Sequence, residues 1–211
     1  TQDISARYFL GHKYGYKLSM EGGDTDIIPI SNPDIETLFA KNQIDGAWVP
    51  EPWGTRLIQK GLANEIIKES ELWPEKSFVI TTIIARREFV EKHPELVSDF
   101  LEAHIRLTQE FQQDAQRFAP QINDELKRIT GKALDENVLR GAIANTGFDH
   151  DPSADTFQRS FEMARAVGIF STQKFDVSQL LYTGPLLAAE ARLGITGPVS
   201  AADAATTGAL A

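Results

Sequence analysis

The sequence has no cysteine, which excludes disulfides and thiolate metal sites and leaves the redox compartment open, since such a chain suits either side of a membrane. It also lacks a basic excess: 21 Lys and Arg face 30 Asp and Glu over 211 residues, for a formal charge of -9. That balance offers no basic face to nucleic acid or to an anionic membrane surface, so an anionic ligand must be held by local groups. No apolar run approaches the roughly 20 residues that a membrane-spanning helix needs, and no basic-then-apolar signal segment opens the chain. Walker, Gly-x-Gly-x-x-Gly and Gly-x-Ser-x-Gly motifs are missing, and the double glycine Gly22-Gly23 reads as a turn. Nucleotide binding therefore has no support. The four histidines, His12, His93, His104 and His150, are scattered without metal-ligand spacing, so neither a metal site nor a cofactor is expected. The acidic cluster Phe148-Asp149-His150-Asp151 runs into Pro152 and a helix, where capping outweighs cation ligation.

What is present is a hydrophobic fraction of 42%, ample for a buried core. The opening stretch reads as a helix with Ile4, Tyr8 and Phe9 on one side, ending near Gly11 to Gly15. Asp26 to Ile30 reads as a buried strand. Asn32 then reads as the cap and Pro33 as the first residue of a helix carrying Ile35, Leu38 and Phe39. Ala47-Trp48-Val49 and Glu65-Ile66-Ile67 are further strands, with a short helix over Arg56 to Lys60 between them, closed by Gly61. Phe78 to Ala85, rich in β-branched residues, is the most strand-like segment. Helices alternating with apolar strands predict an α/β fold with a mostly parallel sheet.

After residue 86 only helices follow. Pro94 opens a long one with Leu96, Phe100, Leu107 and Phe111 as a stripe suited to docking on a sheet. A second carries Ile122, Leu126 and Ile129 and stops before Gly131. Asp135 caps a third with Val138, Leu139 and Ile143, and Phe157, Phe161 and Ala164 mark a fourth that stops at Gly168. The tail from Gly197 is small-residue low complexity.

Two places suggest ligand chemistry. The corner Asp45-Gly46-Ala47-Trp48-Val49-Pro50-Glu51-Pro52-Trp53 leaves a predicted strand where α/β proteins place their ligands. Indoles combine a flat apolar face with one N–H donor, and prolines stiffen the corner that carries them. Trp48 and Glu51 are read as pocket-lining, while Trp53 is equally suited to packing. The start of the first helix, Thr1-Gln2-Asp3, is the second place, because free N–H groups and the dipole favour an anion there. Ordinary capping explains the same residues.

The strings TQDISARYFL, IPISNPDIETLFAKNQIDGAWVPEPWGTRLI, ELWP and FVITTIIARREFVEKHPELVSDFLEAHI together resemble the nitrate, sulfonate and taurine class of ABC-transporter substrate-binding proteins, over most of residues 1–170. The resemblance implies a periplasmic-binding-protein type II fold: two lobes with mostly parallel sheets flanked by helices, closing on a ligand. It also implies an N-terminally truncated chain with an incomplete first lobe. On that mapping residues 1–78 are most of the second lobe, 79–196 the return crossover and the helical part of the first lobe, and 197–211 a tail. Implied ligand contacts are Thr1, Gln2, Trp48, Glu51, Thr81 and Thr82. Glu51 would repel an anion, so it either meets an amine on the ligand or braces the corner.

The expectation is a non-enzymatic solute receptor that captures a small anion or organosulfonate and delivers it to an ABC permease, with no covalent step. The resemblance implies a periplasmic or extracytoplasmic place, lipid-anchored in the full-length protein, and apolar helix faces left without their sheet predict self-association through exposed lobe surfaces. The same fold resembles pyrimidine-precursor synthases for thiamin, whose chemistry asks for a histidine and a lysine at the cleft, and effector-sensing domains of transcription regulators.

Overall fold

The computed structural model describes residues 2–170, 174 and 176–195. Among these residues there is no β-strand, and the one sheet-like contact is an isolated parallel bridge between Leu18 and Thr25. The predicted α/β fold with parallel sheets is therefore wrong for this chain. The reason is visible in the apolar runs themselves. A strand exists only beside a second one, and the segments at Ile28, Trp48, Ile66 and Phe78 to Ala85 are single extended stretches with no strand alongside. Ile66 is 94% exposed and Ile84 90%. β-branched composition signals fitness for a pleated, half-buried surface and does not by itself supply the neighbour.

What forms instead is a set of helices: α1 (Gln2–Tyr8), α2 (Asn32–Ala40), α3 (Trp53–Gln59), α4 (Arg87–Lys92), α5 (Pro94–Gln113), α6 (Ala119–Thr130), α7 (Glu136–Asn145), α8 (Ala154–Ala166), α9 (Val177–Leu180) and α10 (Gly184–Arg192). No helix among the described residues is long and apolar enough to cross a membrane. The chain divides into two compact units. One is built from Thr1–Ser77, Asp114–Gly147 and Met163–Ile169, the other from Phe78–Gln113, Phe148–Glu162 and Phe170–Ala211.

In the first unit the local signals work as physical chemistry prescribes. Asp135 sits in extended geometry ahead of α7, and its carboxylate accepts from the N–H groups of Asn137 and Val138 at 2.9 and 3.3 Å, satisfying two donors that the helix leaves free. The α7 face that follows buries Val138, Leu139, Ala142 and Ile143. Helix α6 stops where Gly131 takes φ +78°, a conformation costly for any residue with a Cβ. At α2 the cap is Ser31, one residue earlier than expected: Asn32 is already helical and Pro33 lies in the first turn, where its missing N–H costs nothing. Glu36 on α2 pairs with Arg56 of α3, at 2.6 Å, and with Lys60 just beyond it. The Lys60 hydrogen bond, with the Arg56 charge, holds the Glu36 carboxyl below its ordinary range.

The second unit is organised by α10 lying on α5. Ile105 and Ala189 are fully buried, and Ser98, Thr108 and Thr183 are buried as well, so this core is small and partly polar. Arg192 fastens the pair by donating to Asp99 at 2.7 Å and to Glu95. The stripe expected to dock on a sheet faces outward instead: Leu96, Phe100 and Leu107 are 57%, 54% and 54% exposed, and of that set only Phe111 is buried. Helix α10 covers another side of α5, and no sheet is present to cover this one. The Asp149-His150-Asp151 segment forms a capped turn, with Asp149 accepting from the N–H groups of His150 and Asp151, and Asp151 from Ser153.

Candidate functional site

The site is built on α1, the corner at Trp48 and the Glu69–Leu72 turn, all within the first unit. Ser5 and Phe9 are four residues apart, so helical geometry places them on one face of the chain, and both are buried. Beyond Tyr8 the backbone widens into a π-helical turn over Phe9–Lys13, in which the Tyr14 N–H donates to the Phe9 carbonyl. Phe9 is the aromatic centre of the site. Its ring stacks on Trp48 with centroids 5.9 Å apart and an 8° tilt, and meets Trp73 edge-on at 6.4 Å. Both arrangements suit the quadrupoles of the rings.

The polar side of this aromatic cluster converges on one carboxylate, Glu69. The Trp48 indole N–H donates to Glu69 Oε2 at 2.5 Å. On the other oxygen, Oε1, the Ser5 hydroxyl donates at 2.6 Å and the Trp73 indole N–H at 3.2 Å. Two oxygens of a single anionic group thus receive three neutral donors. Hydrogen bonds to a charged acceptor are each worth about 1.5–3 kcal/mol, so this node holds α1, the corner and the Glu69–Leu72 turn in one arrangement.

Glu51 has a different neighbourhood. Its Oε2 accepts from the Thr55 N–H at 3.2 Å, a free donor in the first turn of α3, and its Oε1 accepts from the Thr55 hydroxyl at 3.0 Å and from Asn145 Nδ2 at 2.9 Å. Asn145 in turn accepts from Lys68 at 2.8 Å. Glu51 therefore braces the corner by capping α3 and tying it to the end of α7. The same two helices meet at Gly141, where a Cβ would come to 2.6 Å from Thr55 Cγ2. Only a glycine allows that approach. Trp53 opens α3 with the Arg56 guanidinium over its ring at 5.5 Å.

Of the residues singled out in the sequence, the structure gathers Trp48 with Ser5, Glu69 and Trp73, and places Glu51 at the other end of the same corner. Gln2 is half-buried in the first turn of α1, three residues before Ser5. Thr1 lies outside the described residues. Thr81 and Thr82 belong to the second unit, in an extended segment where Thr81 is exposed and Thr82 half-buried. Ser5, Glu69, Trp73 and Asn145 were not anticipated. The one available signal was the Glu69-to-Trp73 spacing of four within ESELWP, which sets a carboxylate one turn from an indole. Among the described residues no group of three His, Asp or Glu is arranged to hold a metal ion.

A family model describing the NMT1-like family, whose members are mostly solute-binding proteins with some synthases among them, matches residues 1–121. No curated protein and no solved structure matches the chain. The matched stretch contains the whole Ser5, Trp48, Glu69 and Trp73 cluster and the Glu51 corner, and it covers more than half of the sequence: the chain belongs to the NMT1-like family.

Proposed function

We propose that the chain is the solute-recognising part of an ABC importer, that it captures a small anion or organosulfonate of the nitrate, sulfonate and taurine kind, and that it passes this solute to a membrane permease from an extracytoplasmic position. The observation that carries the reading is the gathering of neutral N–H and O–H donors, engaged here by the Glu69 carboxylate, beside stacked aromatic rings within the part that matches a mainly solute-binding family. An oxyanion needs donors, and a short carbon chain needs an apolar wall; Trp48 offers both on one side chain. The net charge of -9 argues the same way, because a generally acidic protein attracts an anion only where donors are concentrated. Gln2 and Thr1 are the further contacts proposed within this part of the chain. Glu51 is assigned to bracing the corner, which removes its conflict with an anionic ligand.

A thermal-shift screen of nitrate, bicarbonate, taurine and alkanesulfonates tests this. Binding to the folded state alone, at about a hundredfold above Kd, stabilises by about 2.7 kcal/mol, which for a chain of this size raises the melting midpoint by about 5 °C or more. The expected result is a rise with one solute that disappears in Trp48→Ala. If none of these solutes moves the midpoint, the anion-receptor reading fails.

A further inference from the structure

We infer that the Ser5, Trp48 and Trp73 donors form an oxyanion site which the protein fills with its own Glu69 carboxylate, and that a solute bearing an O–X–O edge (a carboxylate, nitrate, bicarbonate or sulfonate) binds there by displacing Glu69. For the identity of the solute this rests on the function proposed above; for the existence of the site it rests on geometry alone. Three features of the cluster carry it. First, every donor is neutral and the acceptor supplies all the charge, so the donor set is matched to any small monoanion and not to Glu69 in particular. Second, the donors divide between two oxygens of one planar group, Trp48 on Oε2 and Ser5 and Trp73 on Oε1, which is the shape of a bidentate oxyanion seat. Third, two of the donors belong to the core and Glu69 does not. Ser5 and Trp73 are buried and Trp48 is stacked on buried Phe9, while Glu69, like Trp48, is only partly buried and opens a short 3-10 turn. On this proposal the Glu69 side chain turns out from that position and the donors keep their places for the incoming anion.

A tethered carboxylate competes at an effective concentration on the order of millimolar or higher. A free anion therefore binds the wild-type protein only if it gains contacts that Glu69 lacks, for instance a carbon chain laid on the exposed side of Trp48. This makes Glu69 a selectivity device: an anion, inorganic or organic, is admitted only where it brings a contact that Glu69 lacks.

The test is to remove the tether and supply the anion free. In Glu69→Ala, made in the whole chain, formate is expected to raise the melting midpoint saturably by about 3 °C or more, with chloride at equal ionic strength as control. In the same titration two of the three tryptophan indole N–H resonances, assigned by Trp→Phe substitution as those of Trp48 and Trp73, are expected to move, while that of Trp53 stays. Wild-type protein is expected to show neither response at the same formate concentrations. No formate-specific movement of the Trp48 and Trp73 resonances in Glu69→Ala would overturn the inference, and so would an equal movement in the wild type. If Glu69→Ala does not fold, Glu69→Gln replaces it; the amide keeps one acceptor oxygen and opposes the remaining donors with an NH2, and the same selective movement must appear or the inference falls. A wild type that binds no sulfonate or nitrate would sink the transport reading while leaving the formate result in Glu69→Ala untouched, so the two failures are separable.

Discussion

Replacing Gly141 by alanine sets two well-characterised effects against each other. In a helix interior alanine is favoured over glycine by about 1 kcal/mol, so at an open position the substitution would stabilise α7. Here the new Cβ would lie 2.6 Å from Thr55 Cγ2 and 3.3 Å from Thr55 Oγ1. Thr55 is buried on the facing helix, and its hydroxyl is held by Glu51, so it cannot turn its methyl away without giving up that bond. Overpacking a buried contact costs about 1–3 kcal/mol and the lost hydrogen bond about 1 kcal/mol more. The clash wins, and Gly141→Ala is expected to destabilise the protein by about 1–3 kcal/mol, read as a lower urea midpoint at unchanged slope. The companion substitution Thr55→Ser deletes Cγ2 and keeps the hydroxyl. In that background Gly141→Ala is expected to be neutral or stabilising, giving a coupling energy of about 1–3 kcal/mol between the two positions. If Gly141→Ala alone stabilises, or if its effect is the same with and without the Thr55 methyl, then α3 and α7 do not meet as described.

Two other expectations concern charge and capping in the same unit. Glu36 titrates below its ordinary range because of Lys60 and Arg56, so the unfolded chain takes up a proton first as pH falls; the stabilisation is present above the unfolded pKa and is lost as pH drops through the folded one. Urea midpoints of wild type and Glu36→Gln should therefore differ near about pH 7 and draw together as the pH falls below the ordinary glutamate range, and a difference that grows on acidification would contradict the pairing. Asp135→Ala removes the acceptor for two N–H groups of α7 and is expected to cost about 1 kcal/mol, with Asp135→Asn recovering most of it; equal stability of Ala and Asn at this position would show that the cap carries no weight.

Helix ends were legible because their signals are local. Asp135, Gly131, Gly168 and Gly61 each act on backbone groups within a few residues, and each stands where its chemistry predicts. The sheet was misread because apolar, β-branched runs such as Phe78 to Ala85 report what a segment would tolerate, while pairing depends on a partner elsewhere. The exposed face of α5 follows from the same error: Leu96, Phe100 and Leu107 mark an apolar stripe, but which stripe is covered depends on where α10 lies. Glu69 was hidden for a related reason. Its partners are 64, 21 and 4 residues away, and only the last separation has a helical meaning. Trp48 could be singled out by its proline-framed corner, whereas the acceptor of its N–H could not. Glu51 is intermediate, since the Glu51-to-Thr55 spacing of four suits a carboxylate folding back on the first turn of α3.

The convergence at Glu69 also shapes how this sequence can drift. Losing the carboxylate alone strands two indole N–H groups and a hydroxyl, and losing any one donor leaves the other two in place, so the four positions are not equivalent under substitution. Change at 69 removes the shared acceptor of all three donors, whereas change at 5 removes one hydroxyl and change at 48 or 73 removes a packed ring as well as a donor. Among relatives, a loss of the carboxylate at 69 should thus tend to travel with a change at 5, 48 or 73.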